Sequence, residues 1–218
     1  MTNFRAVIFD LDGTLLDSLA DIAQAANRVL DQNRYPTHPV AAYRYFVGDG
    51  VRMLFARALP NDRSQDEVLE QCASQFVEAY ESSWNDKTRP YDGILPLLGE
   101  LNSRNVPLAV LSNKPESFTV RCVEEYFSDY AFHDVRGQRD DVPRKPDPTS
   151  ALQIASGLRL RSSAVVYVGD TATDMKTAGA ANMYPVGVTW GFRPRAELEA
   201  HGAQRLLDHP SGLLALFR

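Results

Sequence analysis

The sequence predicts an α/β fold, a parallel β-sheet covered by helices, with an all-helical module inserted after the first strand. Three observations carry this reading. A short apolar run near the start, Ala6-Val7-Ile8-Phe9, ends at an aspartate and a glycine turn. The stretch from about 18 to 84 then shows helical periodicity and offers no strand candidate. From Tyr91-Asp92-Gly93 onward, helical segments alternate with brief apolar runs of strand length. Strands apolar enough to be buried on both faces, each followed by a helix, are the pattern of a parallel sheet. The length, 218 residues, suits one large domain or a core with an insertion.

Each element follows from local chemistry. Residues 6–9 form a buried strand whose carboxyl end opens into a loop at Asp10. Ser18 stands at a helix start with Asp21 in the capping-box position, and Ile22, Ala26, Val29 and Leu30 make one apolar stripe. Gly48-Asp49-Gly50 interrupts before a second helix carrying Val51, Leu54, Phe55 and Leu59. A third helix, over about 65–84, places Val68, Leu69, Cys72, Phe76 and Tyr80 at helical spacing. Helices over 95–102, 117–127, 148–156 and 175–181 then alternate with strands over 107–111, 132–135, 164–168 and 185–188. The apolar tail at 213–216 reads as a last helix on the sheet. The expected division is a core of residues 1–15 and 91–218 with a helical insertion at 16–90.

Composition narrows the partners. The formal net charge of -5, from 28 acids against 23 bases, argues against nucleic acid and anionic membrane, both of which need clustered Lys and Arg. Cys72 and Cys122 form no CxxC pair and no disulfide framework. The N-terminal residues lack the apolar run of a signal peptide, and no stretch approaches the roughly 20 apolar residues of a membrane helix. The expectation is a soluble cytoplasmic protein, monomer or homodimer.

Ligands in open parallel sheets bind outside the carboxyl ends of the strands. The first strand is followed by Asp10-Leu11-Asp12-Gly13-Thr14, and the run ending at Leu111 by Ser112-Asn113-Lys114. Arg144-Lys145-Pro146-Asp147-Pro148 precedes a helix, and Gly169-Asp170-Thr171-Ala172-Thr173-Asp174 follows the strand ending at Val168. Taken singly, these are turns, helix caps and a solvated lysine. In a parallel sheet they share one rim and supply four carboxylates, a Ser/Asn pair and a lysine.

That inventory suits phosphoryl transfer to a carboxylate. A phosphate dianion repels an attacking carboxylate, so a cation must screen the two, and Mg²⁺ does so with hard oxygen ligands. Asp10 is the candidate nucleophile, splitting one hard step into two easier ones. Asp12 is placed to protonate the leaving alcohol and then activate water. Lys145, Ser112 and Asn113, with Thr14 beside them, are candidates to hold phosphoryl oxygens. Asp170 completes the metal site, with Asp174 binding directly or through water.

Phe9-Asp10-Leu11-Asp12-Gly13-Thr14-Leu15 resembles the first motif of the haloacid dehalogenase superfamily. Ser112-Asn113, Lys145-Pro146 and Gly169-Asp170-Thr171-x-x-Asp174 resemble its second, third and fourth motifs, in the expected order. A fixed D-x-D-G-T alone arises by chance in such a chain with a probability on the order of 10⁻³. The resemblance implies a Rossmann-like core, a cap that closes over the substrate, Asp10 and Asp170 as side-chain metal ligands, and Asp12 as a ligand through its backbone carbonyl. Asp12 favours phosphate esters, because the dehalogenases and phosphonatases of the superfamily lack an acid there.

Phe46-Val47-Gly48-Asp49-Gly50-Val51-Arg52-x-Leu54 is similar to the cap segment of phosphoglycolate phosphatases, and Thr189-Trp190-Gly191-Phe192 to their last loop. A glycine turn at Gly48 with Arg52 in the first helical turn suits a carboxylate-bearing ligand. The expected substrate is a small phosphorylated metabolite, 2-phosphoglycolate first. Pyrophosphate, a sugar phosphate, phosphomutase chemistry and a non-catalytic binding module are the alternatives. Trp190-Gly191-Phe192 reads as packing or as a wall of the site.

Overall fold

A computed structural model describes residues 4–217 and divides the chain into two compact units, residues 4–16 with 90–217 and residues 17–89. In chain order the elements begin with β1 (Ala6–Phe9), β2 (Leu16–Asp17) and α1 (Leu19–Gln32). Next come α2 (Tyr43–Phe46), α3 (Val51–Ala58), α4 (Asp66–Glu81) and β3 (Arg89–Pro90). The chain continues through α5 (Ile94–Ser103), β4 (Leu108–Pro115), α6 (Glu116–Phe127), β5 (Asp134–Gln138) and α7 (Thr149–Gly157). It ends with β6 (Val165–Gly169), α8 (Ala172–Ala180), β7 (Tyr184–Val188), α9 (Arg195–Ala200), β8 (Arg205–Leu207) and a 3₁₀ helix over Pro210–Leu216.

Among the described residues, six strands form one sheet in the order β5-β4-β1-β6-β7-β8, all parallel. The strand at its centre, β1, is apolar throughout and wholly buried, as a strand covered on both faces must be. Ala6 and Ile8 lie in a cluster with Ala109, Leu111, Ile154, Tyr167 and Ala178, which seats α7 and α8 on one face. Register sets the rim. Phe9 pairs with Val110 of β4 and Val168 of β6, so Asp10 comes one residue before the level of Ser112 and Asp170.

The helical unit is built on α1, α3 and α4, with α4 packed against the other two. Phe55 meets Phe76 edge to face at 6.1 Å, and Phe76 stacks on Tyr80 at 5.2 Å. The stripe Ile22, Ala26, Val29 and Leu30 is buried, as its spacing predicts. No described helix is long and apolar enough to cross a membrane.

Several local expectations are corrected. Asp21 does not close a capping box with Ser18, which makes no capping hydrogen bond. Its buried carboxylate instead accepts from the Lys87 N–H at 2.9 Å and from the Thr88 N–H and hydroxyl at 2.8 and 2.7 Å. These donors on the returning chain satisfy both oxygens better than one helix amide would. The strand read as 107–111 runs on to Pro115, so Ser112 and Asn113 lie on β4 rather than capping a helix. Its last residues escape an apolar-run criterion because they are polar. The half-buried, polar edge strand β5 lies later than 132–135 for the same reason. Neither α9 nor the three-residue β8 is long enough to show periodicity, and the tail at 213–216 is 3₁₀ rather than α.

Candidate active site

From β1 the sheet grows to β4 and β5 on one side and to β6, β7 and β8 on the other. Such a reversal of strand order opens a crevice at the carboxyl ends of the central strands. Asp10 sits there, one residue beyond β1, with its N–H donating to the Val168 carbonyl at 2.9 Å and its side chain buried. The chain then turns tightly, with Thr14, Leu15 and Leu16 all donating to the Leu11 carbonyl. Gly13 takes φ +87°, a left-handed conformation open to glycine, and any Cβ there would collide with the Asp170 carboxylate.

Lys145 is the hub. Its side chain is 3% exposed, and its ammonium donates to Asp10 Oδ1 at 2.8 Å, Asp174 Oδ1 at 2.7 Å and the Leu111 carbonyl at 3.1 Å. Those three contacts use all three of its hydrogens. Lys145 lies on a segment without regular structure between β5 and α7, so something must hold it. Asn113 does this from β4. Its amide donates to the Lys145 carbonyl at 3.1 Å and its oxygen accepts from the Lys145 N–H at 3.0 Å. The Tyr167 ring lies 5.9 Å from the ammonium.

Asp170 and Asp174 follow β6 and are fully buried. Asp174 closes a capping box on α8, with Oδ2 accepting from the Thr171 hydroxyl at 2.7 Å and the Thr171 N–H at 3.1 Å. With Oδ1 on Lys145, both of its oxygens are engaged. Asp170 Oδ2 accepts from the Phe192 N–H at 2.7 Å, and Oδ1 from the Thr14 hydroxyl at 3.3 Å.

Burial pushes the Asp10 carboxyl up to about 7, and the Asp174 charge adds to this while Lys145 opposes it. Burial likewise holds Asp170 well above the usual carboxylate range, with Asp174 and Asp10 adding to the effect. For Lys145, burial disfavours the charge, but Asp10 and Asp174 outweigh it and raise the ammonium. Oxygens of Asp10, Asp170 and Asp174 come within 4.8 Å of one another. Three buried carboxylates converging beside one ammonium carry excess negative charge, and their hard oxygens fit a divalent cation.

Of the remaining site residues read from sequence, Ser112 lies buried on β4, accepting from the Lys114 N–H at 3.3 Å, and Thr14 is turned toward Asp170. Arg52 and Gly48 belong to the helical unit. There Arg52 pairs with Asp66 and, at 2.9 Å, with Glu70, while Gly48 precedes α3 at φ +113°.

Lys114 was given no role by sequence, yet its ammonium lies 3.1 Å from each carboxylate oxygen of Asp12. The two-residue period of a strand puts Lys114 on the same face as Ser112, a signal that becomes readable once β4 is known to continue. The Phe192 N–H is a backbone group and leaves no side-chain signature.

Known proteins share this architecture and are similar in sequence. A model of the haloacid dehalogenase-like hydrolases matches residues 7–188. The phosphoglycolate phosphatase of Pseudomonas putida is 32% identical over 214 residues, covering 96% of this chain and 78% of its own length. That of Neisseria meningitidis is 34% identical over 205 residues, covering 92% and 87%. A crystal structure from Lactobacillus delbrueckii subsp. bulgaricus superposes with a TM-score of 0.93 at 30% identity over 99% of both chains. The chain belongs to the haloacid dehalogenase-like hydrolase family.

Proposed function

We propose that this chain is a Mg²⁺-dependent phosphatase that hydrolyses 2-phosphoglycolate to glycolate and phosphate through an aspartyl phosphate on Asp10. The observation that carries the chemistry is the Asp10–Lys145–Asp174 cluster at the carboxyl end of β1, with Asp170 beside it. The similarity to curated phosphoglycolate phosphatases supports the substrate.

In this reading the Asp10 carboxylate attacks phosphorus and the bond to the glycolate oxygen breaks. Asp12 gives that oxygen its proton. Water then attacks phosphorus, Asp12 takes its proton, and the bond to Asp10 breaks to release phosphate. Lys145 opposes the effect of burial on Asp10 and compensates charge on the phosphoryl group, while Ser112 bonds phosphoryl oxygens and Asn113 holds Lys145 in place. Asp10, Asp170 and the Asp12 carbonyl would hold Mg²⁺, which supplies charge screening between the phosphate and the attacking carboxylate. Asp174, tied to Lys145 through Oδ1 and to the Thr171 cap through Oδ2, supports that group from behind.

For substrate choice, Arg52 exchanges Asp66 and Glu70 for the substrate carboxylate. Its side chain is 34% exposed and its partners 87% and 68%, so little is lost on exchange. The test is phosphate release with Mg²⁺ across 2-phosphoglycolate, pyrophosphate, glucose 1-phosphate and an aryl phosphate, with Asp10→Asn as the blank. A lead for 2-phosphoglycolate of about tenfold or more in kcat/KM, worth about 1.4 kcal/mol, is expected. A flat and slow profile would remove the substrate assignment, and a lead for glucose 1-phosphate would favour sugar-phosphate chemistry.

A further inference from the structure

The loop after β7 carries Trp190-Gly191-Phe192-Arg193, which the reaction above does not use. We propose that Trp190, Gly191 and Phe192 form a positioning clamp that fixes how the Asp170 carboxylate faces a divalent cation. This rests on the metal reading of Asp10 and Asp170 given above.

Four observations converge on it. The Phe192 N–H donates to Asp170 Oδ2 at 2.7 Å, occupying one oxygen and leaving Oδ1 with the Thr14 hydroxyl at 3.3 Å. The Trp190 indole N–H donates to the Thr14 carbonyl at 3.0 Å, so the loop, the Asp10 turn and Asp170 close a ring of hydrogen bonds. Gly191 is buried between Asp170 and Gly13, and any Cβ there would collide with the Asp170 side chain and the Gly13 carbonyl. Beyond Phe192, Arg193 pairs with Glu197 at 3.3 Å, and Glu197 accepts from the Ala172 N–H at 3.3 Å. The clamp is thereby tied to the start of α8, two residues after Asp170.

The physical consequence is orientation. A buried carboxylate with one oxygen held by a charge-assisted N–H bond cannot rotate freely about its Cβ–Cγ bond. It presents the other oxygen, Oδ1, in one direction, beside the Thr14 hydroxyl. A hydrogen bond that only satisfied a buried oxygen would contribute to folding and leave cation affinity alone. Groups that orient a ligand side chain change affinity for the ion itself, typically by about 10–100-fold on removal.

The two roles separate by calorimetric titration of the intact protein with MgCl₂ after chelator treatment, alongside thermal unfolding without metal. Gly191→Ala displaces Asp170 and is expected to weaken Mg²⁺ binding by about tenfold or more. Trp190→Phe keeps the ring and removes the N–H, and is expected to weaken binding several-fold with metal-free unfolding near that of the unaltered chain. Should Gly191→Ala fail to fold, Trp190→Phe decides. Unchanged Mg²⁺ affinity in the folded variants, with only unfolding temperature lowered, overturns the clamp and leaves the metal reading standing. An unaltered chain that binds no Mg²⁺ overturns the metal reading, and the clamp with it.

Discussion

The two units each hold an arginine or lysine between two carboxylates, and the two arrangements differ in almost every physical respect. In the strand-built unit, Lys145 is 3% exposed and its partners Asp10 and Asp174 are 8% and 1% exposed. In the helical unit, Arg52 is 34% exposed and its partners Asp66 and Glu70 are 87% and 68%. Removing one member of a buried pair leaves an uncompensated charge and costs about 3–5 kcal/mol, whereas an exposed pair contributes about 1 kcal/mol or less. The first arrangement is fixed, as the proposed chemistry requires. The second is exposed and exchangeable, as the proposed recognition requires.

Perturbing each side breaks or sharpens that contrast. The largest effect belongs to Asp10→Asn, which removes the nucleophile and lowers kcat on the order of 10⁴-fold or more, as steady-state phosphate release will show. Asp12→Ala follows at about 10²–10⁴-fold, and its loss shrinks with an aryl phosphate, whose leaving group needs less proton transfer. Lys145→Met abolishes turnover as well and lowers the metal-free folding stability by about 3–5 kcal/mol in denaturant titrations. A Lys145→Met protein as stable as the unaltered chain would contradict the fixed character of this cluster.

Proton linkage gives a smaller, signed effect. The folded Asp10 carboxyl sits at about 7 against 3.8 for a free one, chiefly through burial. Between these values the folded chain keeps a proton that the unfolded chain has released, so the Asp10 contribution to metal-free stability falls as pH rises from about 4 to 7. A divalent cation competes with that proton. Mg²⁺ is therefore expected to raise the unfolding temperature more at pH 8 than at pH 5. Equal shifts at both would argue against binding at Asp10. The smallest change in folding comes from Arg52→Ala, at about 1 kcal/mol or less, with KM for 2-phosphoglycolate raised about tenfold and KM for an aryl phosphate unchanged.

What could be read from sequence follows the same division. Asp10 and Asp170 announce themselves because chemistry-bearing side chains recur at the ends of strands, and a parallel sheet gathers strand ends on one rim, while Lys145 is legible as the lysine of a short polar cluster just before a helix. Groups that act through the backbone stay hidden. Nothing in Trp190-Gly191-Phe192 reveals that an N–H reaches Asp170, and nothing at Asp21 reveals that its partners are Lys87 and Thr88, 66 and 67 residues away. Lys114 was visible as a residue, but its pairing with Asp12 depends on β4 continuing through polar positions that an apolar-run criterion excludes. For Arg52 the side chain was legible and its partners were not. Asp66 and Glu70, 14 and 18 residues on, meet it only once α3 packs against α4.

The central claim is covalent chemistry at Asp10, and acid quenching during turnover of 2-phosphoglycolate tests it most directly. Intact mass and peptide mapping are predicted to find one added phosphoryl group on the peptide containing Asp10, absent in Asp10→Asn. Turnover with no phosphoryl enzyme at any quench time, or a phosphoryl group on another residue, would contradict it.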